Sequence, residues 1–208
     1  MQKLKSSITN MVLVLVGVSV IMGAVLAWVN NVTTPAIAAI NEKNTQDAIK
    51  AVLPGIKPEK IVDETKTLDI GGKSYEFILH KAMDGETQLG TAVESTTNGF
   101  GGDLKIMVGF DKDGNILGYN LLAHAETPGL GAKADTWFQK GQKGDIIGMN
   151  PGTKALDVKP SKGNGDVDAI TASTITTRAF LNAVNNAYQA VAGDFPTDGA
   201  TGATQQRQ

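Results

Sequence analysis

Cysteine is absent from the 208 residues, and histidine occurs only as His80 and His124. A thiolate-bound iron–sulfur cluster, a haem attached through CxxCH and a thiol nucleophile are therefore excluded within this chain. Any redox chemistry here has to use an organic cofactor. The absence of cysteine also suits an oxidising compartment. Aromatic residues are sparse at 5%, so few positions can act as stacking platforms. Neither sign of charge prevails, since 19 Lys and Arg stand against 21 Asp and Glu for a net charge of −2. That balance leaves no basic footprint, and nucleic acid is not expected as a partner. Charge is missing altogether between Lys5 and Glu42.

That uncharged interval contains the apolar run Met11 to Val29, MVLVLVGVSVIMGAVLAWV. A helix of this length crosses a hydrocarbon core of roughly 30 Å, and Trp28 falls where an interfacial aromatic would sit. Lys3 and Lys5 precede the run and no positive charge follows it closely. The positive-inside rule then predicts a cytoplasmic N-terminus and an extracytoplasmic remainder. Ala36-Ile37-Ala38 has the form of a signal-peptide cleavage site but lies well beyond the run. A retained anchor in the lipid bilayer is expected instead.

Pro35 to Leu53 reads as a separate stalk helix with a weak apolar face (Ile37, Ile40, Ala48, Val52), stopped by Pro54-Gly55. Strands are predicted for Lys73 to His80, Gln88 to Glu94, Leu104 to Phe110 and Ile116 to Leu122, with turns at Asp84-Gly85 and Asp113-Gly114. The alternation implies an antiparallel sheet, half buried. A further strand is predicted at Leu156 to Lys159. Trp137 and Phe138 suit core packing, and His124 reads as a strand-end residue rather than a metal ligand.

Glycine is abundant, at 24 residues. Two glycine-rich loops flank the Leu104–Leu122 hairpin: NGFGG, Asn98 to Gly102, and HAETPGLGAK, His124 to Lys133. In the second, Pro128 fixes one φ angle while Gly129 and Gly131 admit positive φ, so the turn is defined. Glycine also permits close backbone approach to a flat ligand, although each loop taken singly reads better as punctuation.

The stretch DVDAITASTITTRAFLNAVNNAYQAV, Asp166 to Val191, organises the rest. Phe180, Leu181, Val184, Ala187, Tyr188 and Val191 follow the spacing of one helix face. Ahead of them stand five hydroxyl side chains in seven residues: Thr171, Ser173, Thr174, Thr176 and Thr177. One hydroxyl suffices for an N-cap. A crowd of them at a helix N-terminus, where unpaired N–H groups and the dipole favour an anion, also fits a phosphate site.

Taken together, these stretches resemble the flavin-binding subunits of ion-pumping respiratory complexes, the G subunit of the Rnf complex and the C subunit of the sodium-pumping NADH:quinone reductase. The resemblance rests on the single N-terminal span, on GFGGDLKIMVGFDKDGNILGYNLLAHAETPGLG from Gly99 to Gly131, and on DAITASTITT from Asp168 to Thr177. In such proteins a threonine ending an Asp-x-x-Ser/Thr-Gly-Ala-Thr motif carries FMN through a phosphoester. The matching residues are Asp168, Thr171, Ala172, Ser173 and Thr174, with Ala172 where Gly is usual and Ser173 where Ala is usual. The resemblance thus implies covalent FMN at Thr174, with Thr176 and Thr177 as neighbouring hydroxyls. It also implies that Glu126, Thr127, Gly129, Leu130 and Gly131 approach the flavin ring. The tail carries a more literal match at Asp198, Thr201, Gly202, Ala203 and Thr204, but no helix or apolar residue follows to build a pocket.

The expected fold is α+β: residues 1–31 as cytoplasmic N-terminus and transmembrane helix, 32–55 as stalk, 56–195 as an extracytoplasmic FMN-binding domain with a mainly antiparallel sheet and packed helices, and 196–208 as a flexible tail. The implied function is electron relay within an Rnf-type ion-translocating ferredoxin:NAD+ oxidoreductase, with other Rnf subunits and a flavin transferase as partners and little activity alone. The alternatives are the quinone-reductase C subunit and a flavin-free anchored binding module on the extracytoplasmic face. For topology, alkaline phosphatase fused after Gln208 should be active, and the mature chain should begin at or near Met1. A mature N-terminus near Ala39 would refute the retained anchor.

Overall fold

The computed structural model of the chain describes residues 8–159 and 166–192. Lys3, Lys5 and the tail with Thr204 lie outside the described residues. The chain divides into two compact units, Met1–Thr45 and Gln46–Gln208.

Ile8–Val52 forms one helix, α1. Within it lies a window of mean hydropathy 2.7, long and apolar enough to cross a bilayer. Val14, Leu15, Ile21, Leu26 and Trp28 are all exposed on it, the arrangement that lipid rather than a protein core accommodates. The segment read as a separate stalk is continuous with the span, because α1 runs through Pro35. Proline removes one N–H donor from the ladder. In the turn before it, the hydroxyls of Thr33 and Thr34 donate to the carbonyls of Val29 and Asn30 at 2.9 and 2.6 Å.

The second unit is built on a five-stranded antiparallel meander in the order β1 to β5. Its strands are β1 Lys60–Ile70, β2 Lys73–Asp84, β3 Thr87–Asn98, β4 Asp103–Asp111 and β5 Ile116–His124. The four strands expected from alternation are present, and His124 closes β5 as expected. β1 is a fifth that the pattern did not announce: its first six residues are all exposed, so it carries no apolar alternation to detect. The strand expected at Leu156 to Lys159 does not form. That segment makes an isolated parallel bridge, Val158 to Val167, with backbone bonds joining Asp157 and Lys159 to Asp166 and Val167 and the Asn185 side chain on Leu156.

One face of the sheet carries the main core. Phe77, Leu79, Val93, Ile106, Val108 and Phe110 are fully buried there. Against them packs α3, Thr174–Val191, through Phe180, Leu181, Val184, Ala187 and Val191. Each such large side chain contributes roughly 1.5–3 kcal/mol on leaving water. A short 3-10 turn, Gly131–Lys133, and the one-turn helix α2, Ala134–Trp137, fill the edge of this layer. Phe138 stacks on Phe180 with centroids 4.1 Å apart and planes at 10°, the core role expected of it.

The sheet is covered on its other face as well, where the alternation had suggested one solvated side. Ala48, Ile49, Val52 and Leu53 pack there on Ala82, Ala92 and Met107. Small residues make this possible: Ala92, Gly109 and Gly118 stand in register across β3, β4 and β5. A β-carbon at Gly109 would overlap the carbonyl oxygen of Val52, so the close approach of the helix end requires glycine there.

Beyond that trough the same face holds a charged row. His80 Nδ1 lies 2.7 Å from Asp63 Oδ1, His80 Nε2 lies 3.5 Å from Glu94 Oε1, and Lys105 Nζ lies 2.7 Å from Glu94 Oε2. Burial opposes the charged imidazole, but Glu94 and Asp63 outweigh it and raise the His80 pKa above 6.5. Burial likewise opposes the Glu94 carboxylate, and His80 with Lys105 outweighs it, so the Glu94 pKa falls below 4.5. The stability from a raised His80 is complete below 6.5 and fades as pH rises through its folded value. That from a lowered Glu94 is complete above 4.5 and fades as pH falls through its folded value. The stability difference between wild type and Glu94→Gln, read from urea melts, should therefore be largest between 4.5 and 6.5 and shrink at higher pH as His80 loses its proton. A difference that grows as pH rises above 6.5 would contradict this account.

Candidate functional site

Three segments far apart in sequence meet at one buried carboxylate. Glu126, with 5% exposure, follows β5 immediately after the chain leaves the sheet. Its Oε1 accepts the N–H groups of Phe100 and Gly101 at 2.7 and 3.1 Å. Its Oε2 accepts the hydroxyl of Thr176 at 2.7 Å. The loop of residues 98–102, the loop from His124 to Lys133 and the first turn of α3 are thereby tied together. Charge-assisted hydrogen bonds of this kind are worth about 1.5–3 kcal/mol each.

Glycine is needed where these segments converge. A β-carbon at Gly99 or Gly131 would overlap the Glu126 carboxylate. The second loop is then shaped by its own turn: the N–H groups of Leu130 and Ala132 donate to the Thr127 carbonyl at 3.1 and 3.3 Å, and Gly129 takes φ 78°. Behind it, the Tyr119 hydroxyl donates to the Ala134 carbonyl at 2.7 Å and accepts the Phe138 N–H at 3.2 Å. Burial raises the pKa of this phenol strongly, so it stays a neutral donor throughout the physiological range.

The hydroxyl-rich loop divides its labour. Thr177 is fully buried; its hydroxyl donates to the Ser173 carbonyl at 3.0 Å and accepts the Ile170 N–H at 3.1 Å. Thr176 serves Glu126. Ser173 occupies the N-cap position of α3, yet its side chain makes no capping bond. Thr171 and Thr174 are exposed. The first N–H of α3 with a helical partner is that of Thr177, donating to Ser173 at 2.9 Å. Those before it are the ordinary orphan donors of a helix start.

A cleft of about 410 Å³ opens where these groups meet. Glu126, Thr127, Leu130 and Gly131 line one part of it, and Ala172 to Thr176 line another, with Phe100 completing it. Of the residues singled out from sequence, the structure brings Glu126, Thr127, Leu130, Gly131, Ala172, Ser173, Thr174 and Thr176 together in this lining. Gly129, Thr171, Thr177 and Asp168 stand outside it: Thr177 braces the helix start, Gly129 shapes the turn, and Asp168 pairs loosely with Lys159 at 3.9 Å while its carbonyl accepts the Trp137 indole N–H at 2.8 Å.

Phe100 and Ile175 are members of the lining that sequence reasoning did not select. Phe100 is 69% exposed, Ile175 57% and Leu130 41%. Among the described residues after Val62 these are the exposed large hydrophobics, and all three face this cleft. An exposed apolar cluster around a concave site marks a binding surface. An available signal was the aromatic placed inside a glycine loop, in a chain with few aromatics.

The FMN-binding domain family matches residues 99–189, the interval that holds this cleft. The chain is 30% identical over 190 residues to the G subunit of the Na(+)-translocating ferredoxin:NAD(+) oxidoreductase complex of Acetobacterium woodii, covering 85% of this chain and 88% of that one. It is 31% identical over 185 residues to the G subunit of the ion-translocating oxidoreductase complex of Shewanella baltica, covering 79% and 85%. Among solved structures it is similar to the C subunit of the Na(+)-translocating NADH-quinone reductase from Parabacteroides distasonis, at 16% identity and a TM-score of 0.46, covering 76% of this chain and 94% of that one.

Ala172 gives a test of the geometry. At φ 62° it is the non-glycine residue with positive φ among those described. The left-handed conformation costs an L-residue roughly 1–2 kcal/mol, of which glycine returns about 0.4–1 kcal/mol through a freer unfolded chain. Ala172→Gly should therefore raise the unfolding free energy by about 0.5–1 kcal/mol in urea denaturation. A loss of stability would show that the loop holds another conformation.

Proposed function

The chain belongs to the family of G subunits of ion-translocating oxidoreductase complexes, and on that footing we propose that it carries FMN as a phosphoester on Thr174 and relays electrons within an Rnf-type ferredoxin:NAD+ oxidoreductase. It is an electron-transfer subunit of a redox-driven translocase, with an FMN-binding domain at residues 99–189. Little activity is expected from it alone. The observation that carries the finer reading is that one cleft joins three exposed apolar side chains to a threonine hydroxyl at a helix N-terminus. A flavin-free binding module has no need of that pairing.

The residues present fit the group. Phe100, Leu130 and Ile175 offer apolar surface to a flat ring. The orphan N–H groups at the start of α3 and the positive end of its dipole suit a phosphate. Thr174, the first residue of α3, is exposed, and no hydrogen bond within the described residues engages its hydroxyl. The lining carboxylate, Glu126, is already held by three protein donors, so it adds no unpaired negative side chain beside a phosphate. FMN supplies the electron-transfer chemistry when bound.

The chain's own residues bind, orient and enclose. Glu126 fixes both loops against α3 before any ligand arrives. Thr127 adds a hydroxyl beside the Leu130 turn, and an ester at Thr174 holds the cofactor at one point on a rigid helix. The partners proposed are the other Rnf subunits, a flavin transferase that forms the ester, and the bilayer that receives the apolar run of α1. The domain is proposed to lie on the extracytoplasmic side.

Mass spectrometry of wild type, T174A and T204A, each made alongside a flavin transferase, tests the ester. Alanine at 174 removes the reacting oxygen, breaks no hydrogen bond in the fold and is a better helix former than threonine. One FMN is expected on wild type and on T204A and none on T174A, with the T174A melting temperature equal to or slightly above that of wild type made without the transferase. Flavin retained on T174A but lost from T204A would move the site to the tail.

A further inference from the structure

A second cleft, of about 570 Å³, lies between the turn joining β1 to β2, the end of β3 and the middle of α3. It shares no lining residue with the first. Its walls carry Lys73 and Tyr75 from β2, Thr97 and Asn98 from β3, and Asn182 and Asn186 from α3. The Thr97 hydroxyl donates to the Ala179 carbonyl at 2.9 Å and fastens the helix to the sheet at this point. The side chains of Lys73, Tyr75, Asn98, Asn182 and Asn186 make no hydrogen bond or ion pair with any described residue. Only 8% of Asn186 is exposed, yet its amide atoms are not sealed from solvent, so they open into the cleft. Water can satisfy such an amide, and a ligand that displaces the water has to offer the same donor and acceptor.

The same helix shows what such an amide takes. The Oδ1 of Asn185 accepts the N–H of Leu156 at 2.9 Å, and its Nδ2 donates to the Leu156 carbonyl at 2.9 Å. One side-chain amide thereby closes on the backbone of a non-helical segment from both sides. Asn182 and Asn186 present the same donor–acceptor pair twice, one helical turn apart, a rise of about 6 Å. Alternate residues of an extended chain recur at about 6.6 Å. That repeat suits a polypeptide backbone better than a compact molecule. Among the described residues no carboxylate lines the cleft and Lys73 does, so the complementary segment is acidic.

We propose that this cleft seats an extended, acidic segment of another subunit of the complex, with Asn182 and Asn186 reading its backbone as Asn185 reads that of Leu156. The proposal rests on the chain being a subunit of an assembly, and does not depend on how the flavin is attached. It assigns the cleft to docking and leaves the Thr174 cleft to the cofactor.

Two measurements on the assembled complex test it. A photoreactive benzoylphenylalanine placed at Asn182, on the rim, should crosslink to a second subunit at a stretch containing Asp or Glu. Adducts absent, or formed with lipid alone, overturn the proposal. Asn186→Leu removes the unpaired amide, so the isolated chain should melt at the wild-type temperature or above. In the complex, at least tenfold less of this variant should co-purify, while its FMN content per chain equals that of wild type. Asn186→Leu that co-purifies like wild type overturns the proposal. A wild-type chain that carries no FMN would instead overturn the reading of the first cleft and leave both measurements interpretable.

Discussion

The site depends on a single buried carboxylate. Glu126 contributes nothing to the core by hydrophobicity, and its burial would be costly without partners. It is retained because three donors from two other segments close on its two oxygens. It ties the loop around Phe100, the turn around Leu130 and the first turn of α3 to one another. Glycines at 99 and 131 follow from the same convergence, because the space a β-carbon needs is taken by the carboxylate. The cleft is thus shaped by protein–protein hydrogen bonds that exist whether or not a ligand is present.

The sheet supplies the frame on which this carboxylate is hung. Every strand pairs with its sequence neighbour, and the two loops of the site leave from adjacent hairpins, after β3 and after β5, on either flank of β4. α3 brings the hydroxyl residues to the same end because its apolar stripe is wide and its N-terminus is braced by Thr177 and Thr176. On the opposite face, glycine and alanine let a helix end lie directly on the strands. One side of the sheet is thus committed to the core that positions the site, and the other to the residues 48–53 and the charged row around His80 and Glu94.

Much of this was legible in the sequence, for identifiable reasons. β2 to β5 alternate because one face of each meets α3. β1 does not, since it is an edge strand with most of its side chains in water, and its charged sequence hides it. The stalk segment expected from Pro35 proves to be the same helix as the span, since α1 continues through Pro35 at the loss of one N–H donor. The strand expected at Leu156 to Lys159 fails because its backbone partners are divided: the Asn185 side chain takes both polar groups of Leu156, while Asp157 and Lys159 bond to Asp166 and Val167. The surplus of hydroxyls before α3 was visible, but which of them faces solvent was not: Thr176 and Thr177 are consumed by Glu126 and Ile170, while Thr171 and Thr174 are exposed and of these two Thr174 lines the cleft. Phe100 stayed hidden among glycines, since its exposure depends on a loop conformation that only Glu126 explains.

The meander has a consequence in time. Pairing between neighbouring strands needs only short loop closures, which lowers the entropic barrier and lets the sheet form hairpin by hairpin. The main core stays open on one side until α3, the final described element, covers it. The Oε2 of Glu126 likewise waits for Thr176, so the cleft is complete only once α3 is in place. An enzyme that modifies this helix start after folding meets a finished, rigid surface. A chain cut short before α3 would present a bare apolar sheet and become a target for quality control.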